Sequence, residues 1–392
     1  MSTLRQLWIV LKKELRDGVR DRRSIGSVLI GAIVAPLILG TTFTVMAGRA
    51  KDAQDIKLPV AGMEYAPAFV DWLKQQSGVE IVAPPPDPEQ AVRDRKEDVV
   101  LIIDKEFSKD MARAVSAPVK LVSDSTRQSA QPKVTRVRSL VSAYSGQLAA
   151  LRLIARGVAP SVAQPVGLEE VEVSSAQERM GTLLGFLPIL LVIAAMTGGL
   201  QVAIDTTAGE RERASLEPLL LSPVPRFALT SGKWLAASTF SCASVLFSTL
   251  LTVNVLRRVP WQDLGIRFRV SDGDLMSLLA LVLPLALFLS ALVVFASTFA
   301  RSFKEAQGYI GLLILLPMLP GVVSTLYPLS NRPWLAPVPI FGQYALSADV
   351  LRGKPPALAL YVLAAVSVLI CAFVLVTLTS RLLKREAIIF GK

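Results

Sequence analysis

Residues 209–226 read Gly-Glu-Arg-Glu-Arg-Ala-Ser-Leu-Glu-Pro-Leu-Leu-Leu-Ser-Pro-Val-Pro-Arg, alternating charge that gives way to leucine. The first part favours a short charged helix over 209–221, and Ser222-Pro223-Val224-Pro225 stops it. Leu216, Leu219 and Leu220 fall at i, i+3 and i+4, so they form one apolar edge. Glu210, Glu212 and Glu217 are acids free to pair with basic groups around a groove. That is docking chemistry rather than bond-making chemistry. The same spacing also fits a solvated helix that satisfies its own ion pairs.

A second set consists of polar residues inside long apolar runs: Gln201, Asn254, Ser290, Ser297, Thr298 and Gln307, with Asp205 at the end of one run. A polar group in hydrocarbon is costly unless it faces a pathway or a partner. Gln201, Asp205, Asn254, Ser297, Thr298 and Gln307 are therefore candidates for a translocation pathway. Hydroxyls and amides also bridge neighbouring helices, so both readings stand. Histidine is absent, which removes the commonest metal ligand and general base. No Gly-x-x-x-x-Gly-Lys-Ser/Thr loop occurs. Ser231-Gly232-Lys233-Trp234 has the Gly-Lys pair without the upstream glycine or the magnesium-holding hydroxyl. Cys242 and Cys371 lie within apolar runs and imply no redox motif.

The elements that must position these residues follow from composition. The 392 residues are 52% hydrophobic and 19% charged, with mean hydropathy +0.50. Apolar residues collect in runs of about 20, the length that crosses roughly 30 Å of hydrocarbon. Six spans are expected, at 25–47, 182–204, 234–256, 275–300, 309–326 and 357–380. Residues 1–24 do not read as a signal peptide. Leu4, Leu7, Trp8, Leu11, Leu15 and Val19 line one helical face and basic residues fill the rest, an amphipathic elbow helix for an anionic membrane surface. Trp334–Leu351, broken by Pro337, Pro339, Gly342 and Asp349, reads as a re-entrant or surface helix.

Residues 48–178 alternate β-type runs (58–63, 79–82, 99–103, 119–122) with helical ones (66–76, 88–95, 107–115), the pattern of a small α/β domain. A helical stalk at 132–156 follows. The expected fold class is an all-α polytopic membrane protein of six transmembrane helices with an inserted extracytoplasmic α/β domain between the first and second spans. Seventeen Lys and Arg flank the spans on the side of the termini and seven on the other, so both termini are expected in the cytoplasm. The net charge of +11 is explained by these flanks, and no nucleic-acid partner is expected. The expected location is the bacterial inner membrane.

The run Glu210–Ala236, with Glu210, Glu212, Leu216, Glu217, Leu219, Leu220, Pro223, Arg226, Gly232 and Lys233, resembles the signature of ABC-2 type exporter permeases, especially the NatB-like sodium-export branch. Ala300–Gly321 and Leu11–Ser24 resemble that family's region between fourth and fifth spans and its N-terminal elbow. Ala214 stands where many relatives have Gly, a departure expected to leave docking undisturbed. The resemblance implies a permease subunit coupled to a separate ABC ATPase through Glu210, Glu212, Leu216, Glu217, Leu219, Leu220, Pro223 and Arg226. It also implies a second permease copy or homologue, membrane lipids around the spans, and ATP and magnesium held by the ATPase rather than by this chain. Sodium, a drug, a lipid or a peptide are the cargoes left open. Two other functions compete. An anchored envelope interaction module needs far fewer spans, and an intramembrane enzyme needs paired acids, histidines or a Ser/Lys dyad.

Overall fold

The computed structural model describes residues 2–163, 171, 174–266, 270–327, 329 and 332–384. Arg267, Arg269, Arg385 and Lys392, counted in the charge bias, lie outside the described residues. The chain divides into two units. The first comprises 1–43, 174–259 and 266–392, and the second 44–173 with 260–265.

Helix α1 (Thr3–Arg20) ends at Asp21, whose extended backbone starts a new helix. The Asp21 carboxylate accepts from the backbone of Arg23 (3.1 Å) and Ser24 (3.0 Å) and from the Ser24 hydroxyl (2.8 Å). It satisfies the orphan donors of α2 (Arg22–Gln54), so the elbow is an N-cap. Val10, Leu11, Glu14 and Gly18 form the buried face of α1, while Leu4, Trp8 and Val19 remain exposed.

The second unit contains β1 (Ile56–Ala61), α3 (Pro67–Lys74), β2 (Val79–Val82), α4 (Pro88–Arg93), β3 (Val99–Ile103), α5 (Phe107–Ala112), β4 (Val119–Ser123) and α6 (Gln131–Ala155). The sheet order is β2-β1-β3-β4. β1 runs parallel to β2 and β3, and β4 closes the edge antiparallel to β3, with Leu101 opposite Leu121. Ile56, Leu58, Val60, Leu101 and Ile103 form its core with Phe69, Leu73, Phe107 and, from α6, Val134, Val137 and Leu140.

The first unit resumes with α7 (Ala176–Leu183), α8 (Leu187–Gly198) and α9 (Leu200–Ile204). One turn of π-helix (Asp205–Gly209) leads to α10 (Glu210–Glu212) and α11 (Leu216–Leu221). Then come α12 (Arg226–Leu256), α13 (Asp272–Ser297), α14 (Phe303–Leu313), α15 (Leu319–Leu326), α16 (Phe341–Leu351) and α17 (Leu358–Leu382). Among the described residues six helical stretches are long and apolar enough to cross a membrane: Arg22–Asp52, Gln177–Glu212, Arg226–Leu256, Asp272–Ser297, Phe303–Leu326 and Leu358–Leu382. The second is segmented. Pro188 opens α8 after a 3-10 turn, and Gly198-Gly199 separates α8 from α9. A Cβ on Gly198 would lie 2.3 Å from Ser244 Cβ, and one on Gly199 2.3 Å from the Ala237 carbonyl. These glycines therefore let α12 approach in near backbone contact. Pro317 sits in a 3-10 turn between α14 and α15, whereas α13 continues through Pro284. Nine of the eleven residues of α16 are buried against the rest of the chain.

Candidate coupling site

The 209–221 segment differs from the single charged helix that the sequence suggests. Ala214 breaks it, with φ +52°, in the left-handed region that L-residues enter at a cost of roughly 1–2 kcal/mol. Glycine has no such cost, which gives a physical reason for a glycine at this place. The break separates α10 from α11.

On the α10 side, Glu210 points inward. It accepts from Lys233 Nζ on α12, and Lys233 also donates to the Thr206 carbonyl within the π-turn. The other Glu210 oxygen accepts from Lys13 Nζ at 3.3 Å, and Lys13 also donates to Glu14 at 3.0 Å. Glu14, Glu210 and Lys233 are 4%, 6% and 3% exposed, so the Glu210–Lys233 pair is shielded from water, while the Lys13 ammonium reaches it from the exposed side. Two carboxylates and two ammonium groups balance formally, the condition under which buried charge is tolerated. Burial pushes the Glu14 carboxyl up; Lys233 opposes this and Glu210 adds to it. Burial alone would lower the Lys13 ammonium, but Glu14 and Glu210 outweigh it and the net direction is upward.

Gly232 explains how α1 reaches this cluster. A Cβ there would lie 2.8 Å from Val10 Cβ and 3.2 Å from the Leu11 nitrogen. The Gly-Lys pair of the sequence therefore has two local jobs: Gly232 admits α1, and Lys233 neutralises the acids that α1 and α10 bring.

The neighbouring residues reach the loop between the fourth and fifth spans. Arg211 Nη1 donates to the Ala300 carbonyl (2.8 Å), and Glu212 accepts the Phe303 backbone N–H (2.7 Å) at the start of α14. Arg226 Nη1 donates to the Leu383 carbonyl (2.6 Å) beyond α17, and Asp205 pairs with Arg213 (2.8 Å). The π-turn and α10 thus join α1, α12 and α14, while Arg226 ties α12 to the end of α17.

Among the residues expected to face a partner, Glu210, Glu212 and Arg226 are engaged within the chain. Leu216 is buried, which corrects its placement on an exposed edge: the Ala214 turn rolls α11 so that Leu216 faces inward. Leu219 is half-buried and Pro223 is exposed, its carbonyl accepting from Gln6 Nε2 at 3.2 Å. The side chains of Glu217 and Leu220 lie outside the described ones.

The pathway candidates do not converge. Ser297 and Thr298 line a narrow cavity of about 20 Å³ with Thr206, Thr230, Lys233 and Thr379, room for about one water. Their hydroxyls donate to the carbonyls of Val293 (2.7 Å) and Val294 (2.8 Å). Gln201 is half-buried, and Asn254 and Gln307 are exposed; none of the three lines that cavity.

The sequence profile described as "ABC-2 family transporter protein" matches residues 24–380. The chain belongs to the ABC-2 transporter family. This ABC-2 permease is 32% identical over 321 residues to the "ABC transporter permease protein NatB" of Bacillus subtilis (strain 168), covering 79% of this chain and 80% of that one. It is a permease subunit of an ABC-2 type transporter, and membership of the family implies an ATPase partner.

Sequence reasoning missed Lys13 and Glu14 and used Lys233 only as part of a pattern. Leu11, Glu14 and Gly18 share one helical face by their i, i+3, i+7 spacing, and a lone acid on that face of a basic helix was the available signal. The internal partners of Arg211, Glu212 and Arg226 had no local signal.

Proposed function

We propose that this permease works as an ATP-driven exporter in a bacterial inner membrane and that the joint around α10 transmits the ATPase stroke to the spans. The observation that carries this reading is the Glu14–Lys13–Glu210–Lys233 cluster, in which Glu14, Glu210 and Lys233 are buried. It locks the elbow helix, the 209–221 segment and the third span together, so that force applied to the segment moves a span rather than bending a loop. Both termini are cytoplasmic and 48–178 lies outside, following the flanking charge. The exposed apolar side of α1, with Leu4, Trp8 and Val19, rests on lipid. A second copy or a homologue completes the pathway. ATP and magnesium sit on the ATPase. Sodium is the cargo that resemblance favours, with a drug, lipid or peptide as the alternatives.

In this scheme Glu210, Glu212 and Arg226 act as internal struts, and the docking face is formed by Glu217, Pro218, Leu219, Leu220 and Pro223. Glu217→Ala, or joint Leu219→Ser and Leu220→Ser, should reduce pull-down of the ATPase in nanodiscs and abolish cargo-stimulated ATP hydrolysis. Glu89→Ala in the inserted domain serves as the control and should do neither. Full binding and transport in both loop variants would move the docking face elsewhere, to α1 or to 301–307. Accumulation of radioactive sodium in inverted vesicles tests the cargo separately.

A further inference from the structure

The inserted α/β unit has a cavity with a defined place in its topology. From β1 the chain leaves through α3 towards β2, and from β3 it leaves through α5 towards β4. The two connections diverge, which opens a crevice beyond the carboxyl ends of β1 and β3. In open α/β sheets such a switch point is where ligands bind. Here Tyr65, which follows β1, and Ser108, which follows β3, are joined by a hydrogen bond from the Ser108 hydroxyl to the Tyr65 carbonyl. Two adjoining lobes of about 490 Å³ each open around Phe69, Phe107, Met111, Tyr144 and Leu148. Each lies within the roughly 300–1,000 Å³ of ordinary small-molecule sites.

The charge of the lining is one-sided. Arg152 borders both lobes and Arg156 borders one; no other charged side chain is among the described lining residues. Among the described residues Arg152 spends only Nη2 on the protein, donating to the Met111 carbonyl at 3.0 Å and to its sulfur at 3.1 Å, which leaves Nε and Nη1 to offer. Arg156 caps the C-terminus of α6 and its side chain makes no ion pair among the described residues. Ser116 and Ser145 add hydroxyls to the same rim. Aromatic and aliphatic walls with a guanidinium fork at one end fit an apolar body that carries a planar anion.

We infer that this cavity at the β1/β3 switch point binds an acyl-chain carboxylate, with the chain along Phe69, Phe107, Met111, Tyr144 and Leu148 and the carboxylate held by Arg152 and Arg156. This site is separate from the coupling cluster and stands whatever cargo the permease moves.

The test uses the full chain in phosphatidylcholine nanodiscs and dodecanoate carrying a diazirine at its chain end, with photolabelled peptides mapped by mass spectrometry. Labelling should concentrate within 65–72, 107–119 and 141–153. Unlabelled dodecanoate should compete, and dodecyltrimethylammonium at equal concentration should not. Arg156→Gln, and Arg152→Gln with Arg156→Gln, should raise the half-competing dodecanoate concentration about tenfold or more, the effect of losing a charge-assisted hydrogen bond. Because Arg152 also holds Met111, Leu148→Trp is the second variant; it puts an indole into the wall that both lobes share, leaves the arginines intact and should cut labelling severalfold. Equal competition by the cationic amphiphile, labelling outside these segments, or labelling unchanged by Arg156→Gln and Leu148→Trp would each overturn the inference.

Discussion

Replacing Lys233 by Met keeps most of the side-chain volume and removes the charge. Lys233 is the most buried member of the cluster and the one that touches both Glu210 and the Thr206 carbonyl. Without it, Glu14 and Glu210 share only the ammonium of Lys13, whose side chain is 51% exposed. A buried pair that loses one partner costs about 3–5 kcal/mol, because the remaining charge stays uncompensated. The Thr206 carbonyl also loses its donor, a penalty of about 1–3 kcal/mol already contained in that range if the turn relaxes. Adding Glu210→Gln removes the stranded charge, so the double variant should recover at least about 2 kcal/mol of the single-variant loss. The assay is reversible unfolding of the four-member cycle in mixed micelles by added denaturing detergent, with cargo-stimulated ATP hydrolysis measured alongside. A loss below about 1 kcal/mol for Lys233→Met, or no recovery on adding Glu210→Gln, would refute the claim that these charges interact in a shielded site.

Glu14→Gln should stabilise the protein at neutral pH. The folded state raises the pKa of this acid above its ordinary value of 4.5, so its contribution is most favourable below that pH and is lost as pH rises through the raised value; unfolding measured against pH should show a flatter profile in the variant. Ala214→Gly should stabilise by roughly 0.5–1 kcal/mol by relieving the left-handed backbone, and a loss of stability would mean that the turn is not held there. For topology, cysteines introduced separately at Gln128 and Lys392 should react with an impermeant thiol reagent in intact spheroplasts only at Gln128, and labelling at Lys392 alone would invert the assignment.

Six spans and a small sheet were legible because they depend on local order along the chain. A run of about 20 apolar residues crosses hydrocarbon in any tertiary context, and alternating strand and helix runs suit a layered α/β unit. The Gly-Lys and Glu-Arg motifs were equally visible, but their work was not. Glu210 looked like a surface acid because its neighbours in sequence are charged. Its partners, Lys13 and Lys233, lie 197 and 23 positions away. The tertiary structure decided its direction: the π-turn rotates Glu210 off the continuing helical register, Gly232 admits α1, and the crossing places two lysines against two acids. Leu216 turned inward for a related reason, since one left-handed residue at Ala214 changes the direction in which α11 begins. The pairing of Arg152 and Arg156 with an apolar crevice likewise required the sheet order, because the divergence of the β1 and β3 connections depends on strand neighbours that no local pattern specifies. Local periodicity determines which residues are apolar and which elements form; the meeting of charges from distant elements is set only once the helices have packed, because it depends on where small residues allow close approach.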